Sequence, residues 1–460
     1  MKIKTLSRSA DNYLPVRETD SQKLPRNLDP ALHPFERARE YTRALNATKL
    51  DKVFAQPFVG QLGDGHIDGV YSIAKNTRTL AYVATGSGDG VVKLWDLAQR
   101  EEIFSVQGHN GIVRGLTVNS DGYLLSCASD RTVKMWDVSD YSKLRKGSKA
   151  RTEPIKTFLG SSAFMGIDSH RDESKFATAG NSIELWDTLR LKPVSNISWG
   201  SDNVTAVKFN QTETSILASA GTDRSVVLYD VRTTSPIQKL VATLKTNALA
   251  WNPMEAFYFA AGSEDHNTYI YDMRNLTRSV NVMKDHVAAV LDVDFDPTGQ
   301  EIVTGSYDRS IRIFRVNEGH SREVYHTKRM QHVFATRFTT DSKFILSGSD
   351  DGNVRVWRTN ASERVGVKSS RQKAKLEYDA ALKERYKHMP EIRRIARHRH
   401  LPKVIKKAGE IKRIEIDSLK RKEDNVRKHS KKGAVPYLSE RKKHIIGVAI
   451  KDQEEKKDKK

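Results

Sequence analysis

Cysteine is nearly absent from this chain: 460 residues contain one, Cys127. No internal disulfide framework can form, and no cysteine-based zinc site can be assembled. Cys127 sits in a predicted inner strand and reads as a small buried apolar residue. Such sparing use of cysteine suits a reducing intracellular compartment. Long apolar runs are missing as well. The start, Met1-Lys2-Ile3-Lys4, lacks the apolar core of a signal peptide, and no stretch approaches the roughly 18 apolar residues of a membrane-spanning helix. With 38% hydrophobic and 29% charged residues, part of the chain is expected to lie on or beyond a compact core.

What is present is a repeat. Seven aromatic residues each close a short apolar stretch: Trp95, Trp136, Trp186, Tyr229, Tyr271, Phe314 and Trp357, at intervals of 41, 50, 43, 42, 43 and 43 residues. All seven are followed by Asp or Arg, as in Leu94-Trp95-Asp96 and Val356-Trp357-Arg358. A period of about 40–45 residues with this dipeptide marks WD40 propeller blades. The predicted fold class is therefore all-β: a seven-bladed WD40 β-propeller over residues 53–360, each blade a four-stranded antiparallel sheet.

Finer offsets repeat too. Six residues before the aromatic stands an Asp in six units, namely Asp89, Asp130, Asp223, Asp265, Asp308 and Asp351, while the third unit has Gly180 in a shortened turn. Asp at such a site supports a tight reversal. Ten residues before the aromatic a hydroxyl recurs at Thr85, Ser126, Ser219, Thr304 and Ser347, and a His opens several units at His66, His109, His286 and His332. In the second unit His109, Ser126, Asp130 and Trp136 can form a chain of buried hydrogen bonds, worth most when every member is satisfied. Tyr229, Tyr271 and Phe314 have no indole donor, so the chain should be weaker in units four to six. A Ser, His and Asp together suggest a nucleophilic triad, but a constellation repeated blade after blade is structural. Gly86-Ser87-Gly88-Asp89-Gly90 is followed by a strand, with no helix N-terminus to hold phosphate. No catalytic residue, metal site or cofactor is expected.

Charge is distributed unevenly. The net charge is +21, and residues 361–460 hold 32 Lys and Arg against 15 Asp and Glu, whereas the first 360 hold 46 against 42. A basic arm on a near-neutral scaffold points to nucleic acid; a basic tail that only directs nuclear import is the plainer alternative. Before the propeller, residues 1–52 form an extension. There Pro34 suits the first turn of a helix in which Phe35, Ala38, Tyr41 or Thr42, and Leu45 share a face, with Arg37, Arg39, Arg43 and Lys49 opposite. A helix of about 15 residues is marginal alone and should dock on the propeller or on a partner. Val53 to Leu62 reads as a strand that joins the blade of Trp357 and closes the ring, with Arg364-Val365-Gly366-Val367 as the competing candidate.

After the propeller, residues 361–444 read as a basic helical domain. A helical pattern starts at Ser369, Pro390 interrupts it, and a further helix runs from Lys403 to about Lys428. The candidate RNA contacts are Arg393, Arg394, Arg397, His398, Arg399, His400, Lys403, Lys406, Lys407, Lys412, Arg413, Lys420, Arg421 and Lys422. Arginine pairs bidentately with phosphate, and cationic helices of this kind bind backbone with salt-dependent, sequence-tolerant affinity. Few aromatics interleave, which disfavours base stacking and favours structured RNA read by shape. In the tail, residues 445–460, Ile445-Ile446-Gly447-Val448-Ala449-Ile450 is a β-like run suited to joining a partner's sheet, and Lys451 to Lys460 has the composition of a disordered end.

The flanks carry a resemblance. Asn27-Leu28-Asp29-Pro30 through Lys49-Leu50, Phe54-Ala55-Gln56-Pro57-Phe58-Val59-Gly60, Tyr386-Lys387-His388-Met389-Pro390, Ile395 through Lys403, and Arg427-Lys428-His429-Ser430-Lys431 resemble the Sof-type WD-repeat proteins of the eukaryotic small-subunit processome. The resemblance implies a nuclear, nucleolar, non-catalytic ribosome-biogenesis factor. It would associate with U3 snoRNA, pre-rRNA and other processome proteins, and serve pre-rRNA cleavage and 18S maturation. A second function class is an alternative. Tyr229-Asp230-Val231-Arg232 and Tyr271-Asp272-Met273-Arg274 resemble the boxes with which some propellers dock on the adaptor of cullin-four ubiquitin ligases. That resemblance makes Tyr229, Asp230, Arg232, Tyr271, Asp272 and Arg274 candidate adaptor contacts of a substrate receptor; otherwise both arginines simply lie at blade rims. No membrane partner is expected.

Overall fold

The computed structural model describes residues 29–138, 153–200, 202–363 and 366–450. Asn27-Leu28, the Arg364-Val365 pair and Lys451 to Lys460 lie outside the described residues. Two compact units emerge: the described residues through Gln56 together with Asn360–His398, and Pro57–Thr359 together with the residues from Arg399 onward.

The second unit contains seven antiparallel sheets, one for each aromatic of the repeat. Each inner strand packs against the next, and the last, Val333–Phe338, packs against the first, Val70–Lys75. Blade seven is completed by Phe58–Gln61, which pairs with Val354–Arg358 and sets Phe58 opposite Trp357. A strand from the N-terminal side therefore closes the ring, as expected, but it is shorter than Val53 to Leu62 because Val53 still belongs to a helix.

The turn Asp residues do the same thing in six blades. Each accepts a hydrogen bond from the backbone N–H two residues on, from Val91, Thr132, Ser225, Asn267, Ser310 and Asn353, at 2.9–3.4 Å. The residue between has positive φ: Gly90, Arg131, Arg224, His266, Arg309 and Gly352. Four non-glycine residues thus occupy a left-handed conformation, which the Asx geometry supports.

Where tryptophan closes a blade, its indole N–H donates to a buried hydroxyl: Trp95 to Thr85 at 2.7 Å, Trp136 to Ser126 at 2.9 Å and Trp357 to Ser347 at 2.8 Å. Trp186 donates to Thr178 at 2.9 Å. Thr178 lies eight residues back instead of ten, because the hairpin at Gly180 is short. His66 and His109 add to the hydroxyls at 2.7 Å, and Nδ1 of His109 lies 3.0 Å from Asp130. His286 bridges Thr304 at 2.7 Å and Asp308 at 2.9 Å. His332 departs from the series: it stacks on Tyr307 and donates to the Tyr307 carbonyl at 2.8 Å. Burial holds His66 neutral, its pKa lowered to about 4.

In the first unit, helix α1 (Glu36–Val53) packs on α2 (Ser370–Arg385) and α3 (Pro390–Arg397). Ala44, Leu382 and Ile392 are buried between them. Polar contacts frame this small core: Tyr41 donates to Glu391 at 2.9 Å, Glu40 accepts from Tyr386 at 2.9 Å and pairs with Arg385 at 2.8 Å, and Asp51 pairs with Lys383. The partner that the marginal α1 needs is thus the chain's own C-terminal helices. Pro390 does interrupt the helical run, and it also starts α3 from the first helical position, where a missing N–H costs nothing.

Candidate nucleic-acid interface and adaptor rim

In the first unit the candidate cations Arg393, Arg394 and Arg397 face solvent on α3, because Ile392 takes the buried side; His398, just beyond the helix, is exposed too.

In the second unit the basic stretch continues as α4 (Lys403–His429), followed by the short α5 (Glu440–Lys443) and the strand Ile445–Ile450. The strand does not project for a partner, as its composition had suggested. It pairs antiparallel with Ser235–Ala242 and becomes the fifth strand of blade four, with Leu240 opposite Val448. Ile445 and Val448 pack on the core of blades four and five. His444 stacks on Tyr269, centroids 3.7 Å apart, its carbonyl accepts from Thr243 N–H at 2.9 Å, and burial lowers its pKa to about 4. The Arg441 carbonyl accepts from Ser279 N–H at 3.0 Å, and Lys284 pairs with Glu440.

Seen against the propeller, the candidate cations of this unit divide into two sets. Arg399 is only 17% exposed in its side chain and lies 3.9 Å from Glu323 of blade six. Lys412 donates to the His286 carbonyl at 2.8 Å, with Asp265, Asp285 and Asp308 nearby. Burial lowers the pKa of both groups, partly offset by Glu323 for Arg399 and by those aspartates for Lys412. These two cations anchor the extension. His400, Lys403, Lys406, Lys407, Arg413, Lys420, Arg421 and Lys422 are exposed, although Lys420 lies 3.3 Å from Glu440. On α4 the buried Ile405 and the half-buried Lys412 mark the docked side, and the exposed cations remain open to an anionic partner. Glu323 and Glu440 carry no sequence signal that would have marked them as partners of these cations.

At the rims of blades four and five, Tyr229 and Tyr271 are buried core residues. Asp230 and Asp272 cap the turns that follow, accepting from the N–H of Arg232 and Arg274 at 2.9 and 3.0 Å. Arg274 pairs with Asp272 at 2.8 Å and lies over the Phe257 ring at 4.2 Å; Arg232 pairs more loosely with Asp230 at 3.5 Å. Their side chains are 55% and 77% exposed, so the arginines and not the tyrosines could meet a partner.

Comparison with known proteins adds the lineage. A model of the Sof1-like domain matches residues 359–445. WD-domain G-beta repeats match 58–96, 100–137, 191–230, 277–315 and 318–358, leaving without a match the blades of Trp186 and Tyr271. Protein SOF1 of Saccharomyces cerevisiae is 60% identical over 100% of this chain and 97% of its own length. The chain belongs to the Sof1 family. Protein sof1 of Schizosaccharomyces pombe is 57% identical, and DDB1- and CUL4-associated factor 13 of Xenopus laevis 50% identical, each over 97% of this chain and 100% of its own.

Proposed function

We propose that this Sof1-family protein is a non-catalytic ribosome-biogenesis factor: a nucleolar scaffold of the small-subunit processome, associated with U3 snoRNA and needed for pre-rRNA cleavage and 18S maturation. The observation that carries the reading is the full-length match to protein SOF1, which includes the basic extension as well as the generic repeats. The propeller offers rims to proteins, and the exposed cations of α3 and α4 offer charge to RNA phosphates. Such contacts set affinity and orientation more than sequence choice.

The test is crosslinking and sequencing of RNA on the tagged protein in cells. Charge reversal at Arg393, Arg394, Arg397, Lys406, Lys407 and Arg413 together should cut crosslinking to snoRNA and pre-rRNA at least ~10-fold and leave the propeller folded by circular dichroism. Unchanged crosslinking would overturn the RNA assignment.

A second reading is favoured by the exposed Arg232 and Arg274 and by relatives named as DDB1- and CUL4-associated factors: a substrate receptor of a cullin-four ligase. Binding of the purified protein to that adaptor should be lost in the double variant Arg232→Ala, Arg274→Ala. Equal binding by the variant removes this reading.

A further inference from the structure

Six of the seven inner strands carry an irregularity at the same place. The pairing register slips across Tyr71, Arg114, Thr205, Asn247, Leu291 and Phe334, each the second residue of its strand. A β-bulge re-aims the side chain it displaces, and bulges gather near functional sites. All six residues line one cavity of about 150 Å³ bounded by the inner strands. The propeller thus presents a ring of six side chains picked from six blades by a shared backbone defect.

One member carries a charge. Other inner-strand cations are matched by carboxylates: Lys75 by Asp294 at 2.8 Å, Lys208 by Asp168 at 2.7 Å and Arg337 by Asp292 at 2.7 Å. Two polar members of the ring are also satisfied, Thr205 donating to the Ala220 carbonyl and Asn247 to that of Val290. Nε of Arg114 is buried with no hydrogen-bond partner among the described residues. Its guanidinium lies 5.7 Å from the Tyr71 ring centroid, and Tyr71 stacks on Phe334 at 4.5 Å. A guanidinium donor withheld from water needs an acceptor, and its natural complement is a carboxylate.

We propose that this bulge ring is a peptide-binding site, in which Arg114 takes the carboxylate of an Asp or Glu side chain from a protein partner while Tyr71, Phe334 and Leu291 pack on the apolar groups around it. The surroundings favour peptide over nucleic acid. Asp68 and Asp350 lie close enough to raise the Tyr71 phenol pKa, after burial itself, and so would repel a chain of phosphates. A peptide supplying one acid among neutral or basic residues meets less of this repulsion than a run of phosphates, and its basic residues are attracted by the same aspartates. The cavity takes a side chain, not a helix of nucleic acid.

The experiment uses the full-length chain and fluorescein-labelled hexapeptides. Each has one Asp or Glu among Leu, Ala and Lys, and each is paired with its Asn or Gln counterpart. Fluorescence anisotropy should give at least tenfold tighter binding for acids than amides. Arg114→Gln should erase that difference, and Arg114→Lys should retain part of it. A matching thermal midpoint confirms that both variants fold. Three results would overturn the proposal: no peptide of the set binds, acids and amides bind alike, or Arg114→Gln keeps the preference. Displacement of the acidic peptide by equimolar hexauridylate would also overturn it, by assigning the arginine to nucleic acid.

Discussion

Blades one, two, three and seven hold a tryptophan by an indole hydrogen bond to a buried hydroxyl. Blades four, five and six end on Tyr229, Tyr271 and Phe314, which have no indole. The segment from Arg399 onward touches these three: Ile445–Ile450 extends blade four, His444 and Arg441 cover blade five, and Arg399 and Lys412 reach blade six. The extension is therefore more than a basic arm tethered to a finished ring. It braces from outside the sheets that have the weaker lock inside. The three blades without a tryptophan and the segment that covers them form one physical arrangement.

That contrast can be broken experimentally, and the largest effect should come from the brace. Val448→Asp places a charge against the core of blades four and five and should cost roughly 3 kcal/mol. Amide exchange should quicken within Ser225–Asp230 and Thr268–Asp272 and stay unchanged in Val91–Asp96. Uniform loss across all blades would show that the bracing is not local.

Acidification tests both kinds of lock. His66, inside a tryptophan blade, and His444, in the brace, have folded pKa values lowered to about 4, chiefly by burial. As pH falls below the unfolded value near 6.5, the unfolded chain takes up protons that the fold excludes. Stability is therefore full above pH 6.5 and lost progressively towards pH 4, by up to about 2 kcal/mol per histidine at pH 5. Urea midpoints at pH 7 and 5 measure this, and His444→Phe, which keeps a ring on Tyr269, should remove its share. A pH dependence unaltered by that change would exclude His444 as a contributor.

The smallest effect sharpens the other side. Trp136→Phe deletes the 2.9 Å indole bond to Ser126 and should cost about 1 kcal/mol, read as a lower thermal midpoint. Phe314 stands naturally in the state this variant creates.

Much of this architecture was legible in the chain because blade chemistry is local. The aromatic, its hydroxyl and the turn Asp lie within ten residues, so fixed offsets reveal them. Thr178 escaped because a hairpin two residues shorter changes its offset from Trp186. His332 matched the series by position but turns to Tyr307, a contact supplied by the neighbouring blade. The edge filled by Ile445–Ile450 was not foreseeable: a short apolar run marks a strand, while its partner Ser235–Ala242 lies some two hundred residues away. The same limit separates Lys412 from Arg413. Adjacent cations look alike in sequence, and only the docking of α4 decides which one turns to blade six. The bulge residues are hidden for another reason, since a slipped register leaves no mark in composition.

Closing the ring with Phe58–Gln61 against Val354–Arg358 has a consequence for how the molecule is made. As synthesis proceeds, the earliest strand waits without its mate until the seventh blade has emerged, an edge exposed to wrong pairings throughout. The circle shuts by noncovalent bonds between residues 58–61 and residues 354–358, and until both have emerged that edge has no partner.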